Sequence, residues 1–271
     1  MLSTISSIDA TLFENDYTFL MLFTGLSSVF VIYINTFFLF SLMIRHTFQI
    51  LDRISKRREE ALWKQGILTW NDFLSCSSLE GISDAKKLYY DRQLLSARKA
   101  LYSQSSSYFL PLLSSTETWR LYSFFSSETV FLDIESDGLG DFSDVTVIGL
   151  FNGLHTKTMI KGINLDFPSL KKELARYKLL VTFNGSSFDL PFLRKRCDIL
   201  PEIPHIDLRH LCNRLGLCGG LKSIEKTLNL SRNKVVERFY GGDALTLWRM
   251  YKASGDSYYL SLLVEYNEYD I

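Results

Sequence analysis

The feature that most constrains this chain is a short apolar segment ending in acids, residues 128–137 (Glu-Thr-Val-Phe-Leu-Asp-Ile-Glu-Ser-Asp). Its apolar side chains predict a strand that is covered on both faces. Side chains two residues apart on a strand leave the same face, so Asp133 and Glu135 point into one small volume. Burying two like charges together is costly unless cations neutralise them, and oxygen ligands suit Mg²⁺ or Mn²⁺. Alternatively, the strand end is exposed and both acids are simply solvated.

Two later segments place further acids in similar settings. Residues 179–183 predict a second apolar strand, followed by a Gly/Ser turn and a helix with Asp189 in its early turns. Residues 257–270 predict a helix on which Tyr266 and Asp270, four residues apart, share one face. The chain therefore presents Asp-x-Glu on one strand, Asp189 after a later strand, and Tyr-x3-Asp on a last helix.

This ordered pattern resembles the DEDD superfamily of RNase H-like 3′–5′ exonucleases, in its tyrosine-bearing (DEDDy) branch. The resemblance covers roughly residues 128–271. It is closest to the prokaryotic RNase H-like family of predicted exonucleases, to which residues 220–225 (Gly-Leu-Lys-Ser-Ile-Glu) and Tyr266-Asn267 are similar. It implies an α/β fold with an RNase H-like mixed five-stranded sheet and flanking helices, and hydrolysis of DNA or RNA from a 3′ end.

The resemblance also implies a two-metal site that binds two Mg²⁺ or Mn²⁺ ions. The implied ligands are Asp133, Glu135, Asp189 and Asp270, and the hydroxyl of Tyr266 is expected to orient the attacking water. The candidate nucleic-acid contacts are Asn184, Phe188, Lys222 and Arg194. Each has a simpler alternative, since Phe188 suits a core contact with Phe192, Asn184 suits fixing its turn, and the basic side chains suit solvation.

Two other functions remain open at this point. One is a catalytically weak or inactive RNase H-like protein that binds nucleic acid while tethered to a membrane, and the other is a metal-independent structural domain. The presence of all four acids favours the enzyme. Because the sequence given ends one residue after Asp270, we also expect a frayed helix end and weak metal affinity.

The N-terminal residues contain an uncharged stretch of 28 positions, 17–44. This exceeds the roughly 20 residues that cross a bilayer as a helix. Acids precede it and basic residues follow it, which predicts a membrane-spanning helix with a cytoplasmic catalytic domain. Alternatively, translation starts at Met43 and the protein is soluble and cytoplasmic.

Composition adds weak constraints. Formal net charge is zero, with 30 basic and 30 acidic residues, so any contact with nucleic acid must be local. The four cysteines form no Cys-x2-Cys pair, which suits thiols in a reducing compartment better than a zinc site. No protein partner is predicted.

Three regions follow from these patterns: a hydrophobic N-terminal segment at residues 1–44, a helical region and linker at 45–127, and an RNase H-like exonuclease domain at 128–271. In the second region, Gly66 predicts a helix end and Thr69 or Asn71 a helix start.

Overall fold

The computed structural model describes residues 43–138, 140, 142–196, 198–230 and 244–271, together with the backbone of residues 20–24 and 29–33. The last two segments form strands β1 (Leu20–Thr24) and β2 (Val29–Tyr33), paired antiparallel. The predicted helix over 17–44 is therefore wrong at these residues. Their β-branched and aromatic side chains favour strands.

None of the helices in the described part of the chain combines the length and the apolar character needed to cross a membrane. The predicted spanning segment also reaches Ile44, which is 1% exposed and packs in a protein core. The remaining residues of that segment lie outside the described ones, and cellular location stays a prediction.

A helical layer, defined here as residues 43–128, follows. Its main helices are α1 (Lys56–Lys64), α2 (Trp70–Ser75), α3 (Asp84–Tyr102) and the short α4 (Tyr122–Phe125). Short 3-10 turns lie at Ile44–His46, Ser106–Phe109, Thr118–Leu121 and Ser126–Glu128. Thr69 caps α2 through a capping box with Asp72, as the sequence predicts, because each side chain accepts a backbone N–H of the other residue.

The described residues from 129 onward form a five-stranded mixed sheet with flanking helices. Its strands are β3 (Thr129–Ser136), β4 (Val145–Phe151), β5 (Thr156–Ile160), β6 (Leu179–Thr182) and β7 (His205–Asp207), in the order β5-β4-β3-β6-β7. The first three pair antiparallel, whereas β6 and β7 run parallel to β3. The predicted sheet and its strand order along the chain are confirmed.

Helices cover both faces of this sheet. They are α5 (Phe167–Leu174), α6 (Asp189–Arg196), α7 (Leu208–Arg214), α8 (Leu221–Thr227), α9 (Ala244–Ser254) and α10 (Ser257–Tyr269). One face packs on α5 and α6 through Val130, Leu132 and Ile134. On the other face, Phe131 packs against the helical layer, and Val147 packs against α9 and α10.

The helical layer and the sheet share one apolar core, which includes Phe48, Leu94 and Phe125 from the layer and Phe131 and Val181 from the sheet. The layer thus covers the early part of β3 on the face from which Asp133 and Glu135 project. The division at 127/128 stays a prediction.

Candidate active site

Strand β3 carries the first two acids of the site. Phe131, Asp133 and Glu135 occupy every second position of β3 and therefore share one face of the sheet. Phe131 lies in the apolar core, whereas the two acids lie at the end of the strand. Asp133 lies opposite Gly149 of β4, and Glu135 lies opposite Val147. The pairing register shifts directly after Glu135, which ends the regular ladder at the site.

Asp270 reaches the same place from the end of α10, where it is the C-cap residue. Asp133, Glu135 and Asp270, called the acidic cluster below, each offer a carboxylate oxygen, and these oxygens lie within 4.8 Å of one another. All three side chains are half-buried. The neighbouring Ile271 is 6% exposed and packs in the core shared with the helical layer, so the last residues are held against the protein.

Asp189 adjoins the cluster without joining its close contacts. It is the first residue of α6, is 3% exposed, and accepts a hydrogen bond at Oδ1 from the backbone N–H of Ile134 at 3.0 Å. This hydrogen bond holds the Asp189 carboxylate against the backbone of Ile134, the residue between Asp133 and Glu135. Among the described residues it is not one of the three whose oxygens meet within 4.8 Å.

The acids of the site lie close to one another, and the pKa values of Asp133 and Asp189 are raised. Burial raises the pKa of Asp133 well above its usual range, and the charges of the neighbouring carboxylates raise it further. Burial likewise raises the pKa of Asp189 to about 6, against the opposing effect of its hydrogen bond from Ile134. Such a set of oxygen donors binds protons tightly when no cation is present, and it matches the ligands of a hard divalent cation.

Tyr266 lies one helical turn before Asp270, as predicted, and its ring faces a basic side chain. The Lys222 Nζ donates to the Tyr266 hydroxyl at 3.0 Å and lies 4.5 Å from the ring centroid. Lys222 is exposed and comes from the start of α8, so the structure brings this predicted phosphate contact next to the predicted catalytic phenol.

The other predicted contacts have partners outside the cluster. The Phe188 and Phe192 rings pack in a tilted arrangement with centroids 5.4 Å apart, and Phe188 contacts the core of α5 and α6. Asn184 has a positive φ of 63°, and its Oδ1 accepts from Arg209 at 2.8 Å. Arg194 is exposed. Asn184 and Phe188 are thus in the surroundings that their structural alternatives describe, and their roles in binding stay predictions.

Sequence reasoning missed Asp207. Its carboxylate, 5% exposed, accepts the backbone N–H groups of Asn184 at 2.8 Å, Ser186 at 3.0 Å and Arg209 at 3.1 Å. These bonds hold the pKa of Asp207 below its usual value despite its burial, and they fix the turn that leads to Asp189. An acid between a short strand and a helix is a helix-cap signal that could have revealed it.

Sequence reasoning also missed the role of Asn267, which follows Tyr266 in α10 and is 0% exposed. Its Nδ2 donates to Asp133 Oδ2 at 2.8 Å. Its position three residues before Asp270 places it on the same side of α10 as that acid, which is the only signal the sequence offers.

The sheet order and the acids at the end of its central strand define an α/β protein with a candidate divalent-metal site. A family model described as RNase H superfamily matches residues 130–271, more than half of the chain. The chain therefore belongs to the RNase H superfamily. This membership indicates a nuclease-type hydrolase that acts on nucleic acid. No curated protein matches the chain.

Proposed function

We propose that the chain is a metal-dependent 3′–5′ exonuclease of the DEDDy type. The observation that carries the proposal is the meeting of Asp133 and Glu135 with Asp270, which is 137 positions after Asp133 in the sequence. Three carboxylates repel one another when ionised, and their grouping is stabilised by a divalent cation. The proposal extends superfamily membership to a particular reaction and polarity.

The oxygen-only donor set fits Mg²⁺ or Mn²⁺. Asp133, Glu135 and Asp270 would hold one ion, and Asp189, attached to Ile134 N–H, would complete a second position. When bound, the pair of ions supplies a water of lowered pKa and neutralises the charge that develops on the leaving oxygen.

The remaining steps fall to side chains of this chain. Tyr266, held by Lys222, would orient the attacking water through its hydroxyl. The exposed ammonium of Lys222 is the candidate contact for a phosphate oxygen, because it is a positively charged hydrogen-bond donor beside Tyr266. Arg194, Asn184 and Phe188 are retained as predicted substrate contacts. We assign catalysis to residues 128–271 and a supporting role to the helical layer, whose core continues into the sheet.

The test uses the full chain with single-stranded DNA and RNA labelled at either end, in the presence of Mg²⁺ or Mn²⁺. We expect stepwise shortening from the 3′ end, loss of activity in EDTA, and loss of activity in Asp133→Asn. A circular single strand has no 3′ end and should remain intact. Cleavage of the circle would contradict the exonuclease, and full activity of Asp133→Asn would contradict the site.

A matched control is Asp137→Asn, because Asp137 directly follows β3 but pairs with Lys161 at 3.2 Å. This variant should retain activity. Tyr266→Phe removes only the hydroxyl, and we expect a loss of about 100-fold, in the lower range for a group that positions a proton transfer. A loss below twofold would contradict the DEDDy assignment while leaving the metal site in place.

A further inference from the structure

Asn267 contacts the acidic cluster through Asp133, and Gly149 lies against Asn267. Asn267 Nδ2 lies 2.8 Å from Asp133 Oδ2 and 3.4 Å from the backbone oxygen of Asp133. The backbone oxygen can only accept and the ionised carboxylate also only accepts, so the amide presents its N–H groups to Asp133. Asn267 Oδ1 consequently points the other way, where it is buried and has no hydrogen-bond partner among the described residues.

Gly149 provides the space for this arrangement. It lies directly opposite Asp133 in the β3–β4 ladder, so the two positions share one face of the sheet. A Cβ atom at position 149 would overlap Asn267 Oδ1 and would approach the Ile271 side chain to 3.0 Å. Only glycine therefore lets α10 come close enough for the amide to reach Asp133.

The geometry also explains why an amide is suited to this position. Asp133 is surrounded by Glu135, Asp189 and Asp270, and each ionised neighbour repels it. A neutral donor fixes one oxygen of Asp133 without adding charge, which leaves the other oxygen to face the cluster. A cationic donor at this buried place would compete with the metal, and a carboxylate would add to the repulsion.

We propose that Asn267, admitted by Gly149, is a positioning residue that orients Asp133 for divalent-metal binding. This inference rests on the proposed function, because it requires that the acidic cluster binds the metal. Hydrogen-bond partners of metal ligands typically change metal affinity by 10- to 100-fold when they are removed. The same range is expected here.

The first test measures Mn²⁺ binding to the full chain by electron paramagnetic resonance of the free ion. Asn267→Leu keeps the approximate volume and removes the donor, and we expect Mn²⁺ affinity about 10- to 100-fold weaker. Gly149→Ala keeps Asn267 and all four acids but displaces the amide, and it should weaken affinity in the same direction. Gly220→Ala is the matched control, because the added Cβ meets open space, and its Mn²⁺ affinity should be unchanged.

The double variant sharpens the test. If both changes act through the same hydrogen bond, Asn267→Leu combined with Gly149→Ala should be little weaker than Asn267→Leu alone. A purely additive loss would show that the two positions act separately and would overturn the coupling. If Asn267→Leu does not fold, as judged by circular dichroism and a thermal melt without metal, the Mn²⁺ affinity of Gly149→Ala alone tests the positioning role.

A kinetic readout separates positioning from general damage. The Mg²⁺ concentration that gives half-maximal activity should rise by the same factor as the Mn²⁺ dissociation constant, whereas the rate at saturating Mg²⁺ should change much less. If the original chain binds no Mn²⁺, the proposed function fails. If it binds Mn²⁺ and both single variants bind within about twofold of it, the proposed function stands and the positioning role is overturned.

Discussion

Glu59 in the helical layer is a fully buried carboxylate and Asp133 on the central strand is a half-buried one, and the neighbours of the two are of opposite kinds. Glu59, 0% exposed, accepts from Thr47 Oγ1 at 2.6 Å, Phe48 N at 2.7 Å and Gln49 Nε2 at 2.7 Å. Asp133 receives one side-chain donor, Asn267, and faces three other acids. A carboxylate surrounded by donors stabilises a fold, whereas acids surrounded by acids lower stability until a cation binds.

The comparison distinguishes a buried acid that stabilises the fold from acids that are grouped for a proposed metal site. Glu59 joins residues 47–49 to α1 and thereby anchors the start of the helical layer. In the acidic cluster three carboxylates lie close together, and the apolar cores on both faces of the sheet offset the free-energy cost of their repulsion. The following predictions test this comparison, beginning with the largest expected effect on stability.

Replacing Glu59 with leucine should lower the free energy of unfolding by about 3 kcal/mol. The side chain is buried among donors, and its removal leaves the Phe48 N–H and the Thr47 hydroxyl without their acceptor. Denaturant unfolding measures the change. Nuclease activity per folded molecule should stay the same, and a selective loss of activity would break the comparison.

The stability of the metal-free protein should depend on pH through Asp189. An unfolded Asp titrates near pH 3.9, whereas the pKa of Asp189 in the fold is about 6. The folded state therefore binds more protons between these values, and stability falls as pH rises through this window. The fall should be about 2–3 kcal/mol for this group, complete above pH 6 to 7.

Unfolding midpoints measured from pH 4 to 8 in EDTA check this dependence, with Asp189→Asn as the comparison. The amide can still accept from Ile134 N–H but does not titrate, so the difference between the two proteins reports Asp189 together with its effect on the pKa of Asp133. Added Mn²⁺ should oppose the fall in the original chain. A difference that grew in favour of the original chain as pH rose would contradict the argument.

Replacing Asp207 with asparagine should cost about 1–2 kcal/mol of stability. Its two oxygens accept three backbone N–H groups, and an amide retains one acceptor oxygen. Because the pKa of Asp207 is lowered, this contribution is present at neutral pH and is lost as pH falls below its ordinary range. Thermal melts at pH 7 and pH 3 measure both effects.

Asp133→Asn should change metal-free stability least, by about zero or in the stabilising direction. The substitution removes one of several mutually repelling charges and keeps the approximate size of the side chain. A thermal melt in EDTA measures this, and the same variant should show no stabilisation by Mn²⁺. A clear destabilisation would place Asp133 in the same class as Glu59.

The sequence alone determined the sheet and the local placement of the acids. The alternation along β3 put Asp133 and Glu135 on one face, and the four-residue spacing put Tyr266 beside Asp270 on α10, because both relations depend only on the periodicity of one element. The helix predicted over residues 17–44 is wrong at β1 and β2. The uncharged stretch has the length of a spanning helix, but the residues of these two segments also favour strands.

Only the tertiary structure decided which groups from different elements touch. The hydrogen bond from Asn267 to Asp133, the space that Gly149 leaves for it, and the approach of Lys222 to Tyr266 join positions 44 to 134 residues apart. No local periodicity encodes such contacts, because they depend on how closely α8 and α10 pack against the sheet. The residue types of the site were therefore readable in the chain, but the bonds that orient them follow from the packing of its helices.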